Sequence, residues 1–280
     1  MATINENLNA WSNYKWGQDG NEWSESWGGT DYLWALTIYP RIQTFLPAKT
    51  ILEIAPGYGR ITQYLHKSCK KLLIVDITEK CIIACKNRFE NIHNIGYFVN
   101  DGKSLDMIPN NSIDFVFSWD SLVHAENDVI EAYLGEIASK LTPNGIGFIH
   151  HSNLARYKDS TTGSLTVENK HWRAPSMSAE LFKKYCEQIG LICIRQEIIN
   201  WGDVILNDCF SLFTRKNSRY SIPNRVIENI DFGKEINHSL YISNIYNINL
   251  ERSDELTKET LVKKIFENLC MKLKYKEKYD

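Results

Sequence analysis

Residues 51–60 read Ile51-Leu52-Glu53-Ile54-Ala55-Pro56-Gly57-Tyr58-Gly59-Arg60, an apolar run that breaks into small, turn-forming residues. A helix-like pattern follows, so the stretch predicts a strand, a tight loop and a helix. The two glycines allow the backbone to approach a ligand closely, and the start of the helix offers unpaired N–H groups and a partial positive charge. Ligands of open parallel sheets lie at the carboxyl ends of the strands, near the point where strand order reverses. We therefore expect a nucleotide-like cofactor at this loop.

An acidic residue ends the next predicted strand. Residues 71–76 have the pattern of a buried strand, and the carboxylate of Asp76 can accept hydrogen bonds from both hydroxyls of a ribose. A dinucleotide-binding fingerprint requires a third small residue three positions after the second glycine, where this chain has Thr62. The pattern therefore disfavours NAD as the cofactor.

Further strand patterns alternate with helical ones along the chain. Residues 127–141 are the best-marked helix, because Val129, Tyr133, Ile137 and Leu141 repeat every four residues. The predicted strands after the first two span residues 96–100, 112–120, 146–151, 191–201 and 208–215.

Over about residues 50–215 the chain resembles the class I S-adenosyl-L-methionine (SAM)-dependent methyltransferases. The resemblance is carried by the strand order and by Glu53, Gly57, Gly59, Asp76 and Asp101. Ala55 stands where this family usually has its first glycine, a departure expected to cost little because a methyl group is small. The resemblance implies SAM as the cofactor. It also implies an α/β, Rossmann-like, doubly wound fold with a seven-stranded, mostly parallel sheet whose last strand is antiparallel.

The resemblance also implies the cofactor contacts. Glu53 and the glycines would surround the methionine moiety, and Asp101 matches the position that hydrogen-bonds the adenine amino group. A turn-forming Asp-Gly pair is the alternative interpretation of Asp101 and Gly102. Trp119 is expected on or beside the adenine. The cofactor-binding candidates are Glu53, Ala55, Gly57, Gly59, Asp76, Ile77, Asp101, Gly102, Ser118 and Trp119.

Three parts are predicted along the chain: residues 1–47 as an N-terminal lid, residues 48–216 as the SAM-binding core and residues 217–280 as a C-terminal extension. Residues 11–34 interleave tryptophan and tyrosine with glycine. This composition suits a lid that closes over a ligand and, equally, an aromatic cluster packed on the core. Residues 253–275 have the apolar spacing of an amphipathic helix, which would pair with a second subunit in a homodimer or pack on the core.

Methyl transfer to an oxygen requires that the acceptor lose a proton, and the pKa of an imidazole lies near neutral pH. Two adjacent histidines end the fifth predicted strand, and side-chain alternation directs one of them to each face. We therefore expect His151 to be the general base, with His124 next and Asp120 as the third catalytic candidate. A lone histidine is more often structural than catalytic. The residues predicted to contact the acceptor are Trp23, Trp27, His150, His171 and Arg173.

A metal-assisted transfer would need clustered carboxylates and histidines. His150, His151 and Asp120 include a single carboxylate, whereas the metal-using branch of the family that the chain resembles places several acidic ligands here. We therefore expect no metal ion.

A narrower resemblance rests on the tryptophan- and glycine-rich N-terminal region and on residues 53–60, 117–124 and 147–153. These stretches look like bacterial methyltransferases of surface-polysaccharide or secondary-metabolite assembly. That likeness implies an O-methyltransferase that acts on a hydroxyl or phosphate-type oxygen of a sugar or sugar-linked small molecule, including a nucleotide-sugar. The alternatives are an N-methyltransferase of a small metabolite, an NAD-dependent oxidoreductase and a non-catalytic SAM-binding protein.

The composition narrows the choice of partners. The chain has 280 residues, is 43% hydrophobic, and carries 32 Lys and Arg against 34 Asp and Glu. This balance gives no electrostatic reason to expect nucleic acid as a partner, so we expect a small-molecule acceptor. The seven cysteines lack metal-ligand spacing and suggest reduced thiols in a cytoplasmic protein. No apolar run approaches the roughly 20 residues that span a bilayer.

Overall fold

The structure is a computed structural model, and it describes residues 3–245. Its strands are β1 (Ala48–Ile54), β2 (Cys69–Asp76), β3 (Ile95–Val99), β4 (Ile113–Ser118), β5 (Leu141–Ser152), β6 (Leu191–Ile199), β7 (Asp208–Arg215) and β8 (Arg225–Asn229). They form one eight-stranded sheet in the order β3-β2-β1-β4-β5-β7-β6-β8. β1 to β5 pair in parallel, and β7 runs antiparallel to both of its neighbours, β5 and β6. The predicted Rossmann-like fold with an inserted antiparallel strand is confirmed.

The sheet has one strand more than predicted. β8 pairs in parallel with β6 and comes from the region predicted as the C-terminal extension. Four of its five residues are exposed, so no buried face produces the alternation of apolar and polar residues that marks a strand in a sequence. The division into residues 1–47, 48–216 and 217–280 stays a prediction, and the predicted helix at residues 253–275 lies outside the described residues.

Helices cover both faces of the sheet. The α-helices of the described chain are α1 (Ile4–Asn13), α2 (Thr30–Tyr32), α3 (Tyr39–Ile42), α4 (Thr62–Leu65), α5 (Glu79–Arg88), α6 (Asn127–Lys140), α7 (Ala179–Gln188) and α8 (Phe232–Ile245). A π-helical turn (Leu33–Ile38) joins α2 to α3, and five 3-10 turns are Asn21–Trp27, Gln43–Phe45, His66–Ser68, Leu122–His124 and Leu154–Tyr157. Side chains cap three of the helices: Thr3 caps α1, Thr78 caps α5 and Ser178 caps α7.

Two buried clusters lie on opposite faces of the sheet. On one face Leu52 and Val116 pack with Ile137 of α6 and Phe182 of α7. The other cluster includes Ile51, Phe117, Ile38 and Phe232 and so joins the N-terminal helices and α8 to the sheet. Because neighbouring residues of β1 enter different clusters, both faces of this strand are covered, as in a doubly wound fold.

The C-terminal helix α8 is fixed to the N-terminal region by specific hydrogen bonds. The Ser239 hydroxyl donates to the Trp27 carbonyl at 2.7 Å. The Arg41 guanidinium pairs with Glu197 of β6 at 2.7 Å and with Glu235 of α8 at 3.0 Å. The Ser239 contact holds the 3-10 turn at Asn21–Trp27 against α8, and the Arg41 pairs join α3 to β6 and α8. No helix within residues 3–245 has the length and apolarity that crossing a bilayer requires.

Gly147 of β5 provides a test of the packing across the sheet. It lies opposite Phe213 of β7, and a Cβ atom at residue 147 would lie 2.1 Å from Cζ of that buried ring. Gly147→Ala should therefore lower the free energy of unfolding by about 1–3 kcal/mol through overpacking. Denaturant unfolding followed by circular dichroism measures this change.

The matched control is Gly135→Ala. Gly135 is an exposed residue inside α6, and a Cβ there meets nothing within 4 Å. The same substitution should raise the free energy of unfolding by about 0.8–1.0 kcal/mol, because alanine favours a helix over glycine. Equal unfolding midpoints for Gly147→Ala and the unsubstituted protein would show that the Phe213 ring moves aside at no cost.

Candidate functional site

A cavity of about 600 Å³ lies where β1, β2 and β4 end, within the usual size range of small-molecule sites. β1 pairs with β2 on one side and with β4 on the other, so strand order reverses at β1. The loops that follow β1 and β4 diverge from these neighbouring strand ends and form two walls of the cavity. The Ser121 hydroxyl donates to the Ala55 carbonyl at 2.9 Å and joins the two loops.

Asp76 ends β2 and lines the cavity beside the loop of β1. Its Oδ1 accepts hydrogen bonds from the Thr78 N–H and hydroxyl, both at 2.8 Å, and its Oδ2 accepts one from the Gly57 N–H at 3.3 Å. Burial raises the pKa of Asp76 to about 6, although these hydrogen bonds oppose the rise. Each carboxylate oxygen can accept two hydrogen bonds, so Oδ2 keeps capacity for a ligand hydroxyl.

The loop after β1 has a strained conformation at Ala55. Its φ is 57°, in the left-handed region that glycine adopts readily and that costs an L-residue roughly 1–2 kcal/mol. Alanine was expected to cost little at residue 55 because a methyl group is small. The cost arises instead from the left-handed backbone conformation. Gly57, also at φ 57°, is covered by Trp16, because a Cβ on Gly57 would lie 2.8 Å from the indole ring.

Glu53 lies at the end of β1, where it is buried and lines the cavity. The Thr62 hydroxyl donates to its Oε2 at 2.7 Å. Burial raises the pKa of Glu53 to about 8, so the carboxyl group is mostly protonated at pH 7. A neutral acid at this position can donate a hydrogen bond to a ligand as well as accept one.

The other predicted cofactor residues divide into two groups. Asp101 is exposed and does not line the cavity; its carboxylate accepts hydrogen bonds from the Lys103 and Ser104 N–H groups, the contacts of a turn. Gly59 and Ser118 also lie outside the cavity lining. The cofactor candidates that do line it are Glu53, Ala55, Gly57, Asp76, Ile77, Gly102 and Trp119.

An adenosyl cofactor fits the groups on this side of the cavity. Asp76 offers an acceptor for ribose hydroxyls, and Gly57 permits close approach of a ligand to the backbone. The Trp16 indole N–H is buried at the cavity and has no hydrogen-bond partner among the described residues. A buried donor without a partner costs about 1–3 kcal/mol, a cost that a ligand acceptor would remove.

Two of the three catalytic candidates, His124 and Asp120, line the cavity. Nδ1 of His124 lies 2.8 Å from the Trp172 carbonyl oxygen, which can only accept, so Nδ1 carries the proton and Nε2 keeps its lone pair. The imidazole contacts the rings of Trp11 and Trp172, with centroids 5.5 and 5.2 Å away. Burial, followed by the positive charge of Arg173, lowers the pKa of His124 to about 4.

His151, the first candidate for the base, does not line the cavity, nor does His150. Both are fully buried. His151 stacks on Phe182 at 4.4 Å, and its ring nitrogens contact the Ser152 carbonyl and the Ser211 hydroxyl. Alternation does place the two histidines on opposite faces, but β5 is covered on both faces at this point. The expectation that one of them reaches the crevice is therefore corrected.

Asp120 belongs to a network of charged and polar groups. The Arg60 guanidinium donates to its Oδ2 at 3.2 Å, and the Arg173 guanidinium lies 3.5 Å from its Oδ1. Arg173 also pairs with Asp208 at 2.9 Å, and Nε2 of His150 lies 3.0 Å from Asp208. Burial would raise the pKa of Asp208, but Arg173 and His150 outweigh it and lower this pKa to about 2. Asp208 is therefore a carboxylate at neutral pH.

Four of the five predicted acceptor contacts line the cavity: Trp23, Trp27, His171 and Arg173. Further lining residues were not predicted as site residues. Trp11 and Trp16 belong to the aromatic stretch that suggested a lid, and Arg60 belongs to the motif after β1. The sequence therefore did contain signals for a site role of these three residues. Nothing in the sequence indicated Ile236. The lining residues missed are Ile4, Trp11, Trp16, Arg60, Tyr133, Lys170, Trp172, Trp201 and Ile236, among others.

Within residues 3–245, no group of three or more His, Cys, Asp or Glu side chains is arranged to hold a metal ion.

Comparison with known proteins agrees with this geometry. Residues 51–145 match a family described as a methyltransferase domain. Phosphoethanolamine N-methyltransferase 1 of Triticum aestivum is 30% identical over 150 residues, which are 52% of this chain and 30% of that protein. The match thus spans under a third of the length of this curated relative.

Two solved structures share the fold. The PH0226 protein of Pyrococcus horikoshii has a TM-score of 0.52 at 16% identity, covering 64% of this chain and 88% of that one. A SAM-dependent methyltransferase of Leishmania major has a TM-score of 0.52 at 15% identity, covering 75% and 82%.

The chain therefore has the class I SAM-dependent methyltransferase fold. Within that fold, residues 51–145 match the methyltransferase-domain family, and the cofactor that this match and the fold imply is S-adenosyl-L-methionine.

Asp76→Asn tests the predicted ribose contact. The substitution should weaken SAM binding more than tenfold in isothermal titration calorimetry, because a charged acceptor of the ribose hydroxyls is lost. Since hydroxyl donors favour the carboxylate, SAM affinity of the unsubstituted protein should also fall as pH drops through about 6, and the variant should lose that part of the pH dependence. Glu79→Gln removes an exposed carboxylate three residues away and should leave affinity unchanged. Equal SAM affinity of Asp76→Asn and the unsubstituted protein would remove Asp76 from this role.

Proposed function

We propose that this protein transfers the methyl group of SAM to the nitrogen of a small amine. The curated relatives are phosphoethanolamine N-methyltransferases, although the chain aligns with only 29–30% of their length. The comparisons give no support to methylation of a sugar oxygen. That activity stays a prediction from the sequence, as does a homodimer through the C-terminal region.

The observation that carries the proposal is the setting of His124: its Nδ1 is held by the Trp172 carbonyl, and its ring is buried beside Arg173, which makes it a weak base. An alkyl hydroxyl loses its proton near the pKa of water, about 15.7, whereas the pKa of His124 is about 4. The difference of about 12 between the two pKa values corresponds to a free energy of roughly 16 kcal/mol for full proton transfer from the hydroxyl to His124. His151, the base expected from the sequence, is not at the cavity. An amine that has already lost its proton to water carries a free lone pair and needs no base in the site.

The proton affinity of His124 also decides its role. A primary ammonium has a pKa of about 10, so His124 would take its proton at a cost of about 8 kcal/mol. Nε2 is therefore better suited to accept a hydrogen bond from the neutral amine and to direct the nitrogen lone pair. When bound, SAM supplies a methyl group that is already activated, and in-line placement of the nitrogen provides much of the rate enhancement.

The remaining lining residues suit an acceptor that carries charge of both signs. The Asp120 carboxylate and the indole rings of Trp11, Trp23 and Trp27 favour a cationic or methylated amino group. Lys170 and Arg173 line the cavity as well and would favour an oxyanion on the same molecule. Phosphoethanolamine combines these two groups and is the first acceptor to test.

The experiment supplies methyl-labelled SAM and one acceptor at a time: phosphoethanolamine, ethanolamine or a nucleotide-sugar. Mass spectrometry with fragmentation then locates the label on nitrogen or oxygen. We expect label on the nitrogen of phosphoethanolamine and a lower rate with ethanolamine. Label on a sugar oxygen, with none on either amine, would overturn the proposal.

His124→Phe separates an orienting hydrogen bond from general-base catalysis. The phenyl ring keeps the packing against two tryptophans but lacks both ring nitrogens, so it also loses the hydrogen bond from Nδ1 to the Trp172 carbonyl. Loss of one hydrogen bond of about 1–1.5 kcal/mol should lower kcat/KM for the amine about tenfold, whereas loss of a general base would lower it 10²–10⁴-fold.

The measurement is steady-state kinetics between pH 6 and 8, with SAM affinity measured in parallel. Because His124 is neutral above a pH of about 4, it should add no inflection to the pH profile in this range. His93→Phe changes an exposed histidine and should have no effect. A profile with an inflection near pH 6.5 that disappears in His124→Phe would restore the role of base.

A further inference from the structure

His150 was predicted to contact the acceptor but lies behind the cavity wall. Its Nδ1 lies 3.2 Å from the Asp120 backbone N–H, and its Nε2 lies 3.0 Å from Asp208 Oδ2. A backbone N–H can only donate, so Nδ1 accepts and the ring proton resides on Nε2, which donates to Asp208. The hydrogen bonds thus specify one tautomer of the imidazole.

Asp120 needs such a contact because of its backbone. Its φ is 55°, in the left-handed region, where a residue other than glycine is strained and persists only when its surroundings hold it. Without this conformation the chain after β4 would not present the carboxylate of Asp120 at the same point of the cavity wall.

The surroundings hold Asp120 from three directions. Arg60, after β1, and Arg173, before α7, contact its two carboxylate oxygens at 3.2 and 3.5 Å. His150, from β5, holds its backbone N–H. Asp208 closes the ring, because it accepts hydrogen bonds from His150 and from Arg173. The imidazole is the member of this ring that contacts the backbone of Asp120.

We propose that His150 is a positioning residue: its Nδ1 fixes the left-handed backbone of Asp120 and so holds the carboxylate of Asp120 towards the amine acceptor. This inference rests on the proposed function for the role of Asp120, but the hydrogen bond itself can be measured without any turnover.

Packing alone is the competing explanation for a buried histidine. The His150 ring contacts Phe210 at 4.8 Å, Trp201 at 4.9 Å and Trp119 at 5.2 Å between centroids. A phenyl ring would preserve these contacts but would remove the hydrogen bonds of the imidazole to the Asp120 N–H and to Asp208. An asparagine would lose most of them, but its Oδ1 can occupy the position of Nδ1 and accept from the Asp120 N–H.

The pair His150→Phe and His150→Asn therefore distinguishes the two explanations. We expect the phenylalanine variant to be less stable in thermal unfolding, because the Asp120 N–H and the Asp208 carboxylate each lose a hydrogen bond, and to raise KM for the amine acceptor more than tenfold. Its SAM affinity should stay within threefold of that of the unsubstituted protein. The asparagine variant should be less stable and yet retain an acceptor KM within about threefold. Normal acceptor kinetics in His150→Phe would overturn the proposal.

A measurement without substrate tests the hydrogen bond independently of the proposed function. In ¹⁵N-labelled protein with the demethylated SAM product bound, the N–H···N hydrogen bond should give a scalar coupling between the Asp120 amide nitrogen and His150 Nδ1. The His150→Phe variant should lose this coupling and show faster hydrogen exchange at the Asp120 amide. If no amine is methylated but the coupling is present, the proposed function fails while the positioning contact stands. Absence of the coupling in the unsubstituted protein overturns the contact.

Discussion

The parallel pairing of β1 with β4 is the constraint on which the site depends. Glu53 of β1 lies opposite Phe117 of β4, so the two chains leave the sheet at neighbouring points and at the same edge. With β2 on the other side of β1, strand order reverses here, and the loops must separate because their strands continue into different parts of the fold. The cavity fills the gap between them. Backbone geometry near the gap is correspondingly unusual, with Ala55 and Asp120 both in the left-handed region.

Candidate site residues that lie at the end of their own strand were predictable from the sequence. The glycine-containing loop after β1 and Asp76 after β2 follow from a local pattern, because the direction of a parallel strand determines which edge its last residue reaches. His124 was found in the same way. His151 was placed wrongly for a physical reason: alternation along β5 predicts opposite faces, but whether a face is open depends on which helices cover it. Here α7 covers one face, and the aromatic residues around Trp201 cover the other.

Contacts between distant segments were not predictable from one sequence. The Arg60–Asp120 and Arg173–Asp208 pairs join residues that are 60 and 35 positions apart, and no local pattern links them. The contribution of α8 is of the same kind, since Ser239 reaches Trp27 across 212 positions. Burying these ions is costly unless each is paired. Asp208 meets this condition with Arg173 and His150, and Asp120 meets it with two arginines. Asp120, Arg60 and Arg173 thus supply fixed charges in a cavity whose lining includes seven tryptophans.

Under the proposed function, the charge balance of methyl transfer favours an amine over a hydroxyl as the acceptor. When a neutral amine attacks a sulfonium, the cavity holds one positive charge throughout. The charge is first on sulfur and then on nitrogen. Indole rings and the Asp120 carboxylate can stabilise that charge before, during and after the transfer. Interactions that favour reactant and transition state equally strengthen binding without raising kcat. The rate must then come from alignment of the nitrogen with the methyl group, which depends on how rigidly the cavity wall is held. With a hydroxyl acceptor the positive charge would instead have to leave as a proton, and His124, with its pKa of about 4, is a poor group to receive it.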